Sequence, residues 1–308
     1  MRRMIAASVA RRIALKKMGA GALALAAPMQ VLAAVSDAAK PIIKARRIVS
    51  VGGALTEIIY ALEAQGELVG VDTTSLYPAV AQQLPQVGYA RTLSVEGVLS
   101  LAPTQLIATE EAGPQAVLRQ VRDAGVPVAV LNANNKFEGS LARVKQVGQI
   151  TGRTDPAARL AQALQQQWNG ALAKVGQRSH APVRVLFILA HAPNQVMVGG
   201  RETGADAMLA YAGAVNVMGG QGGFSGYKPL TPEAVIAARP DLVLVTDQGL
   251  KASGGVDGIL KLPGLAQTPA GRKHRIVSLE AMLLLGFGPR MPQALADLDA
   301  AVAQAMAA

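Results

Sequence analysis

The chain reads as an α/β protein of two lobes, each built on a parallel-rich sheet, joined by one long helix. Three observations predict this. Residues Gln86 to Thr109 (QVGYARTLSVEGVLSLAPTQLIAT) recur in altered form at Gly222 to Thr246 (GGFSGYKPLTPEAVIAARPDLVLVT), with Glu96 over Glu233, Val98 over Val235, Pro103 over Pro240 and Thr109 over Thr246, a constant offset of 137 residues. Solenoid repeats run to about 20–50 residues, so so long an offset marks a duplicated lobe. Short β-branched runs alternate with helical patterns in both halves, the order that places helices over a parallel sheet. Between the two copies Leu160, Leu164, Trp168, Leu172 and Val175 recur at spacings of four and three, the stripe of one uninterrupted helix.

Composition and charge narrow the class. The 308 residues are 51% hydrophobic but only 3% aromatic, the profile of an Ala-rich globular protein with length for two ordinary cores. The net charge of +10 misleads, because six of the 30 basic residues stand in the first 33 positions with no acid beside them, leaving 24 against 20. No basic block survives there, which argues against nucleic acid as a partner. Residues 1–33 have the marks of an export signal: a basic start, an apolar run from Met18 to Ala27 and the small-residue site Val31-Leu32-Ala33. Arg11-Arg12 resembles the twin-arginine pattern, so the expected destination is the periplasm. Without cysteine there is no disulfide and no thiolate metal site.

In chain order, the spacing predicts a first lobe over 44–154, a connecting helix over 155–178 and a second lobe over 181–308. Arg46 to Val51 is a strand that Gly52-Gly53 turns into a helix from Leu55 to Leu62, with Thr56 and Glu57 read as first-turn residues. Strands follow at Leu68 to Val71, Gln105 to Ala108 and Val126 to Leu131, with helices at Ala116 to Ala124 and Ser140 to Thr151. Asp155-Pro156 opens the connector, helical from Pro156 to Val175. Such a connection predicts modest rocking between lobes in place of a wide hinge. The second lobe repeats the pattern: a strand from Val183 to Leu189, a loop carrying His191, a strand from Gln195, a helix from Ala205 to Ala212, strands at Leu242 to Val245 and Arg275 to Leu279, a loop from Met282 to Arg290, and a closing helix from Met291 to Ala307.

Within the repeat, each copy holds a Gly-Tyr loop, a Ser94 or Thr231 helix start and one glutamate. The hydroxyls suit N-caps, and Glu96 and Glu233 suit the first helical turn, so a purely structural role is open to both acids. Tyr89 and Tyr227 stand one step out of register, and if the lobes face one another these phenols do too. Tyr89 also has Arg91 two residues on, on the same side if the segment is extended. A tyrosinate is an established axial ligand of ferric haem, and a nearby cation helps a phenol with an ordinary pKa near ~10 to ionise. The competing reading is a tyrosine whose ring packs and whose hydroxyl bonds the backbone. Hydrolase chemistry has little support: no G-x-S-x-G elbow is present, and His180, His191 and His274 lack neighbouring carboxylates.

The segments RRIVSVGGALTEIIYALE, VGYARTLSVEGVLSLAP, GGFSGYKPLTPEAVIAARPDLVLV and LLLGFGPRMPQAL resemble the haem-binding periplasmic proteins of bacterial ABC haem importers, within the helical-backbone (class III) substrate-binding group that also carries ferric siderophores and vitamin B12. The likeness runs over nearly the whole mature chain, and VGYxRxLSxEG is its specific part. It implies a non-enzymatic protein that captures one or two haems between two Rossmann-like lobes and works as a monomer with a permease dimer and its ATPase. It further implies that Tyr89 ligates the iron, that Arg91 hydrogen-bonds the tyrosinate, and that Glu96 and Glu233 dock onto arginines of the permease. On the opposite wall Tyr227, Lys228, His191 and Arg290 are the candidates, with Arg290 and Lys228 suited to the propionates. A siderophore or corrinoid carrier is the alternative on the same scaffold, and an exported hydrolase the alternative of another class.

Overall fold

Each strand of the first half is a short, mostly apolar run that a loop delivers into a helix. In the computed structural model these are β1 (Ile48–Val51), α1 (Gly53–Ala61), β2 (Leu68–Val71), α2 (Val95–Leu99), β3 (Gln105–Thr109), α3 (Gln115–Asp123) and β4 (Val128–Leu131). The sheet order is β2-β1-β3-β4 and every pair is parallel. All four residues of β1 (IVSV) are buried, which explains why Val49 and Val51 on one face and Ile48 on the other are all apolar where a sheet with one wet face would alternate. The structure describes residues 45–177, 181–192, 195–220 and 222–307, so the export signal expected over 1–33 lies outside the described residues. Among those described, no helix is long and apolar enough to cross a membrane.

α4 (Phe137–Thr151) stops at Gly152, whose φ of 70° is left-handed, and α5 (Thr154–Gly176) starts two residues later. At ~1.5 Å per residue its 23 residues span roughly 35 Å. Its buried seam differs from the large-residue stripe expected from sequence. Ala157, Ala161, Leu164, Trp168 and Ala171 are buried, while Leu172 is 36% exposed. Small alanines let neighbouring helices approach closely, so the seam follows residue size as well as hydropathy.

The second half comprises β5 (Arg184–Ala192), β6 (Gln195–Gly199), α6 (Gly204–Tyr211), β7 (Val215–Asn216), β8 (Tyr227–Pro229), α7 (Pro232–Ala238), β9 (Leu242–Thr246), α8 (Asp247–Ala252), α9 (Gly255–Leu260), α10 (Pro269–Arg272), β10 (Ile276–Leu279), α11 (Ala281–Leu285) and α12 (Met291–Ala307). Its sheet runs β10-β9-β5-β6-β8, with β7 also on β5. β5, β9 and β10 are parallel, whereas β6 runs antiparallel to both β5 and β8. The loop expected around His191 is therefore the end of a strand, and the Gly-Tyr loop of the second copy is also a strand, β8. The 137-residue offset survives in the pairing register: Val49 opposite Leu106 in the first sheet corresponds to Leu186 opposite Val243 in the second.

One hydrophobic core runs through both halves, from Ile48, Leu55 and Ile107 through Phe137, Val144, Leu164 and Trp168 to Phe187, Leu209, Leu244 and Leu298. At its centre Trp168 of α5 stacks on Phe137 at 4.4 Å and meets Tyr211 edge-on at 4.8 Å. Such ring pairs contribute about 0.5–1.5 kcal/mol each beyond area burial. Because the stack joins residues from both sides of α5, wide opening of the halves would break it.

Candidate functional site

Parallel strands direct their carboxyl ends toward one side, and loops leaving them form crevices there. Gly52 after β1, Thr109 of β3, Ala190 of β5 and Thr246 of β9 all line a cleft of about 500 Å³. The connecting loops complete it with Thr73, Thr74, Tyr89, Arg91, Glu111, Asn135, Glu202 and Thr203, joined by Tyr227 of β8, Gln248 of α8, and Met282 and Leu285 of α11. Gly52 has φ 111°, and a Cβ there would stand 2.5 Å from the Thr109 side chain, so glycine keeps the cleft floor open.

Tyr89 follows Gly88, which takes φ 99°, and opens a 3-10 turn over Ala90–Thr92. The residue is 41% exposed, an unusual state for a large aromatic, and it lines the cleft. Arg91 lies inside that turn, so the extended backbone that would put Tyr89 and Arg91 on one side of a strand is absent. Instead the Arg91 charge reaches Tyr227 of the second half. Burial pushes the Tyr227 phenol above its usual 10.0, Arg91 and a hydrogen bond with Thr203 pull it back, and Glu111 pushes it up again. The Tyr227 ring rests edge-on to Phe187 at 6.4 Å. Both repeat tyrosines thus stand in one cleft, Tyr89 on a turn and Tyr227 on a strand.

The other second-half candidates fare differently. Lys228 alternates with Tyr227 along β8, is exposed, and lies over the Phe224 ring at 4.9 Å; it does not line the cleft. His191 belongs to β5, and its side chain lies outside the described residues. Arg290 does not line the cleft either. Its Nε donates to Glu57 Oε2 at 2.8 Å, Nη2 donates to Glu57 Oε1 and, at 3.1 Å, to Glu280, and the guanidinium lies 4.1 Å from the Tyr77 ring centre. In this structure Arg290 is engaged by a buried carboxylate and Lys228 lies over an aromatic face.

Glu57 was expected in an ordinary first turn, yet only 4% of it is exposed. Burial raises its carboxyl above 4.5 and Arg290 pulls it down, so the pair ties α1 to the segment before α12 at a net desolvation cost. The Arg290 guanidinium is itself held more firmly protonated by Glu57 and Glu280, although burial alone would act the other way. A second tie is Arg143, 2% exposed, which donates to Leu131 O at 3.0 Å, Gly286 O at 3.0 Å and the Glu110 carboxylate. Sequence reasoning reads Glu57 as a first-turn residue and does not single out Arg143; the available signal is a charge beside Ile58 and Ile59 in one case and beside Val144 in the other, and partners 12 to 233 residues away leave no local trace. Glu111, facing Tyr227, had no comparable signal.

Glu96 and Glu233 are exposed and lie outside the cleft, on α2 and α7. Ser94 Oγ accepts the Gly97 N–H at 2.9 Å, and Thr231 Oγ1 accepts the Ala234 N–H at 3.4 Å, so both helices carry the side-chain cap expected of them.

Residues 48–283 match the family described as periplasmic binding protein. Among solved structures, the chain is similar to the periplasmic haem-binding protein RhuT of Roseiflexus sp. RS-1 in apo form, with 44% identity, a TM-score of 0.81, and coverage of 85% of this chain and 99% of that one. It is similar to the periplasmic haem-binding protein BhuT in complex with two haems, at 44% identity, TM-score 0.80 and the same coverage of 85% and 99%. A periplasmic haem-binding protein from Pseudomonas aeruginosa is 40% identical, with TM-score 0.76 and coverage of 83% and 92%. With a family match over most of its length and relatives this close, the chain belongs to the periplasmic binding protein family.

Proposed function

We propose that this chain captures ferric haem in the cleft and presents it to the permease of an ABC importer from the periplasmic side, making and breaking no bond in its cargo. The observation that carries the reading is the exposed Tyr89 phenol in a cleft it shares with Arg91 and Tyr227. Tyr89 supplies the axial oxygen to the iron. Arg91, which lines the same cleft, is the cationic partner on that side, and Tyr227 supplies the opposing aromatic wall. Glu96 and Glu233 dock onto cationic residues of the permease dimer, each from its own half, and the protein acts as a monomer.

A spectrophotometric titration of the mature protein with ferric haem tests the reading. A shifted Soret band that saturates at one or two equivalents is expected, with the number of equivalents counting the haems held. A spectrum identical to free haem, alongside tight binding of a corrinoid or ferric siderophore, would overturn it. Docking is tested separately. Glu96→Lys with Glu233→Lys is expected to abolish haem uptake into vesicles carrying the permease while leaving the titration unchanged; uptake at the wild-type rate would remove both glutamates from the interface.

A further inference from the structure

α2 and α7 are five and seven residues long, too short to be stable on their own. What orients the glutamates they carry must come from outside each helix. Ser94 and Thr231 hold the N-terminal ends. The C-terminal ends are held by an arginine from a distant strand start, in the same way in both halves. Arg47, just before β1, donates from Nε to Ala102 O at 3.0 Å and from Nη2 to Leu101 O at 2.7 Å. Arg184, opening β5, donates from Nε to Arg239 O at 3.5 Å and from Nη2 to Ala238 O at 2.7 Å. Each carbonyl pair stands at the C-terminal end of its helix, Leu101 and Ala102 just beyond α2 and Ala238 and Arg239 at the end of α7, where the chain turns left-handed, Ala102 at φ 44° and Arg239 at φ 45°. The backbone N–H groups of the two arginines are matched too, Arg47 to Thr104 Oγ1 at 2.9 Å and Arg184 to Asp241 Oδ2 at 3.2 Å. All of these pairs, from arginine to carbonyl to polar acceptor, stand 137 residues apart, as Glu96 and Glu233 do.

A planar fork donating to two successive carbonyls fixes direction as well as distance, and a cation at this end of a helix meets its negative pole. Both guanidinium groups lie outside the cleft, so they have no part in holding cargo. We propose that Arg47 and Arg184 are positioning residues for the permease-docking surface, fixing the short helices so that Glu96 and Glu233 are presented in one set geometry. The inference rests on the docking reading of those glutamates.

The test uses the haem-loaded protein and its permease–ATPase complex in lipid vesicles, reading the protein concentration that half-saturates ATP hydrolysis. Arg184→Ala is expected to raise that concentration about five- to tenfold without changing the maximal rate or the haem titration. In a Glu233→Ala background the same substitution is expected to add less than about twofold, since a residue that acts through another has nothing left to position. Arg184→Lys, which keeps a cation and one donor at the helix end, is expected to recover part of the loss, and it replaces Arg184→Ala should that variant lose haem binding. Arg47→Ala is expected to behave in the same way toward Glu96. Wild-type half-saturation in Arg184→Ala, while Glu233→Ala is impaired, would overturn the inference and leave the docking reading standing. An equal loss with and without Glu233 would overturn it as well, because Arg184 would then act on the permease or the fold directly. No effect of Glu233→Ala would overturn the docking reading, and the inference with it.

Discussion

Tyr89→Ala is expected to lower the affinity for ferric haem by more than about 100-fold, because removing even an outer partner of a metal ligand commonly costs 10- to 100-fold and this residue is assigned the bond to iron itself. The fold should survive. The residue is 41% exposed, and the backbone at φ −79° and ψ 137° suits alanine as well as tyrosine. Tyr89→Phe separates ligation from packing: it keeps the ring and loses the oxygen, so it should fail as the alanine variant does, while Tyr89→His should recover binding with a shifted Soret band. Wild-type affinity in the phenylalanine variant would mean that the ring packs against the porphyrin and the iron takes its ligand elsewhere.

Arg290→Ala is expected to destabilise the protein without cargo by about 3–5 kcal/mol at neutral pH, the usual cost of leaving one member of a buried ion pair uncompensated. The carboxylate left behind is Glu57, 4% exposed. Its pH dependence follows from the direction of its shift. Burial already holds the Glu57 carboxyl above 4.5, and the two influences that pull it down both come from Arg290. Removing Arg290 raises it further. For an acid whose folded-state pKa lies above the unfolded value, the folded state binds the proton more tightly, so stability is lost as pH rises through the folded value and the penalty vanishes below the unfolded one. The gap between wild type and variant should thus be widest near neutrality and shrink as pH falls toward 4.5. Urea unfolding of both proteins at pH 5 and pH 7 measures it, and a gap that does not change with pH would show that the loss comes from packing against Tyr77 and not from the buried charge.

Particular residues show where sequence reasoning reached and where it stopped. β2 and α12 have the expected bounds, because Leu68–Val71 and Met291–Ala307 are set off by local turn signals and regular spacing. Glu96 and Glu233 were singled out through the repeat and Tyr89 through its loop and motif; the glutamates are exposed and Tyr89 lines the cleft. Arg290 and Lys228 looked equally suited to a carboxylate in the cleft, and neither lines it. For Arg290 the deciding neighbour, Glu57, is 233 residues away; for Lys228 it is the pleat of β8, which points Tyr227 one way and Lys228 the other.

From the sequence alone come the strand and helix order of the first half, the duplication with its 137-residue offset, the capped short helices and the phenol in its glycine-led loop. Each is a local pattern, or a pattern compared with its own copy, and local backbone chemistry is enough to write it. Tertiary structure alone decided which cations are already engaged, that Arg91 from one half acts on Tyr227 from the other, and that one core threads both halves along α5. Those outcomes depend on which side chains compete for the same buried space and charge, and that competition exists only once distant segments have been brought together.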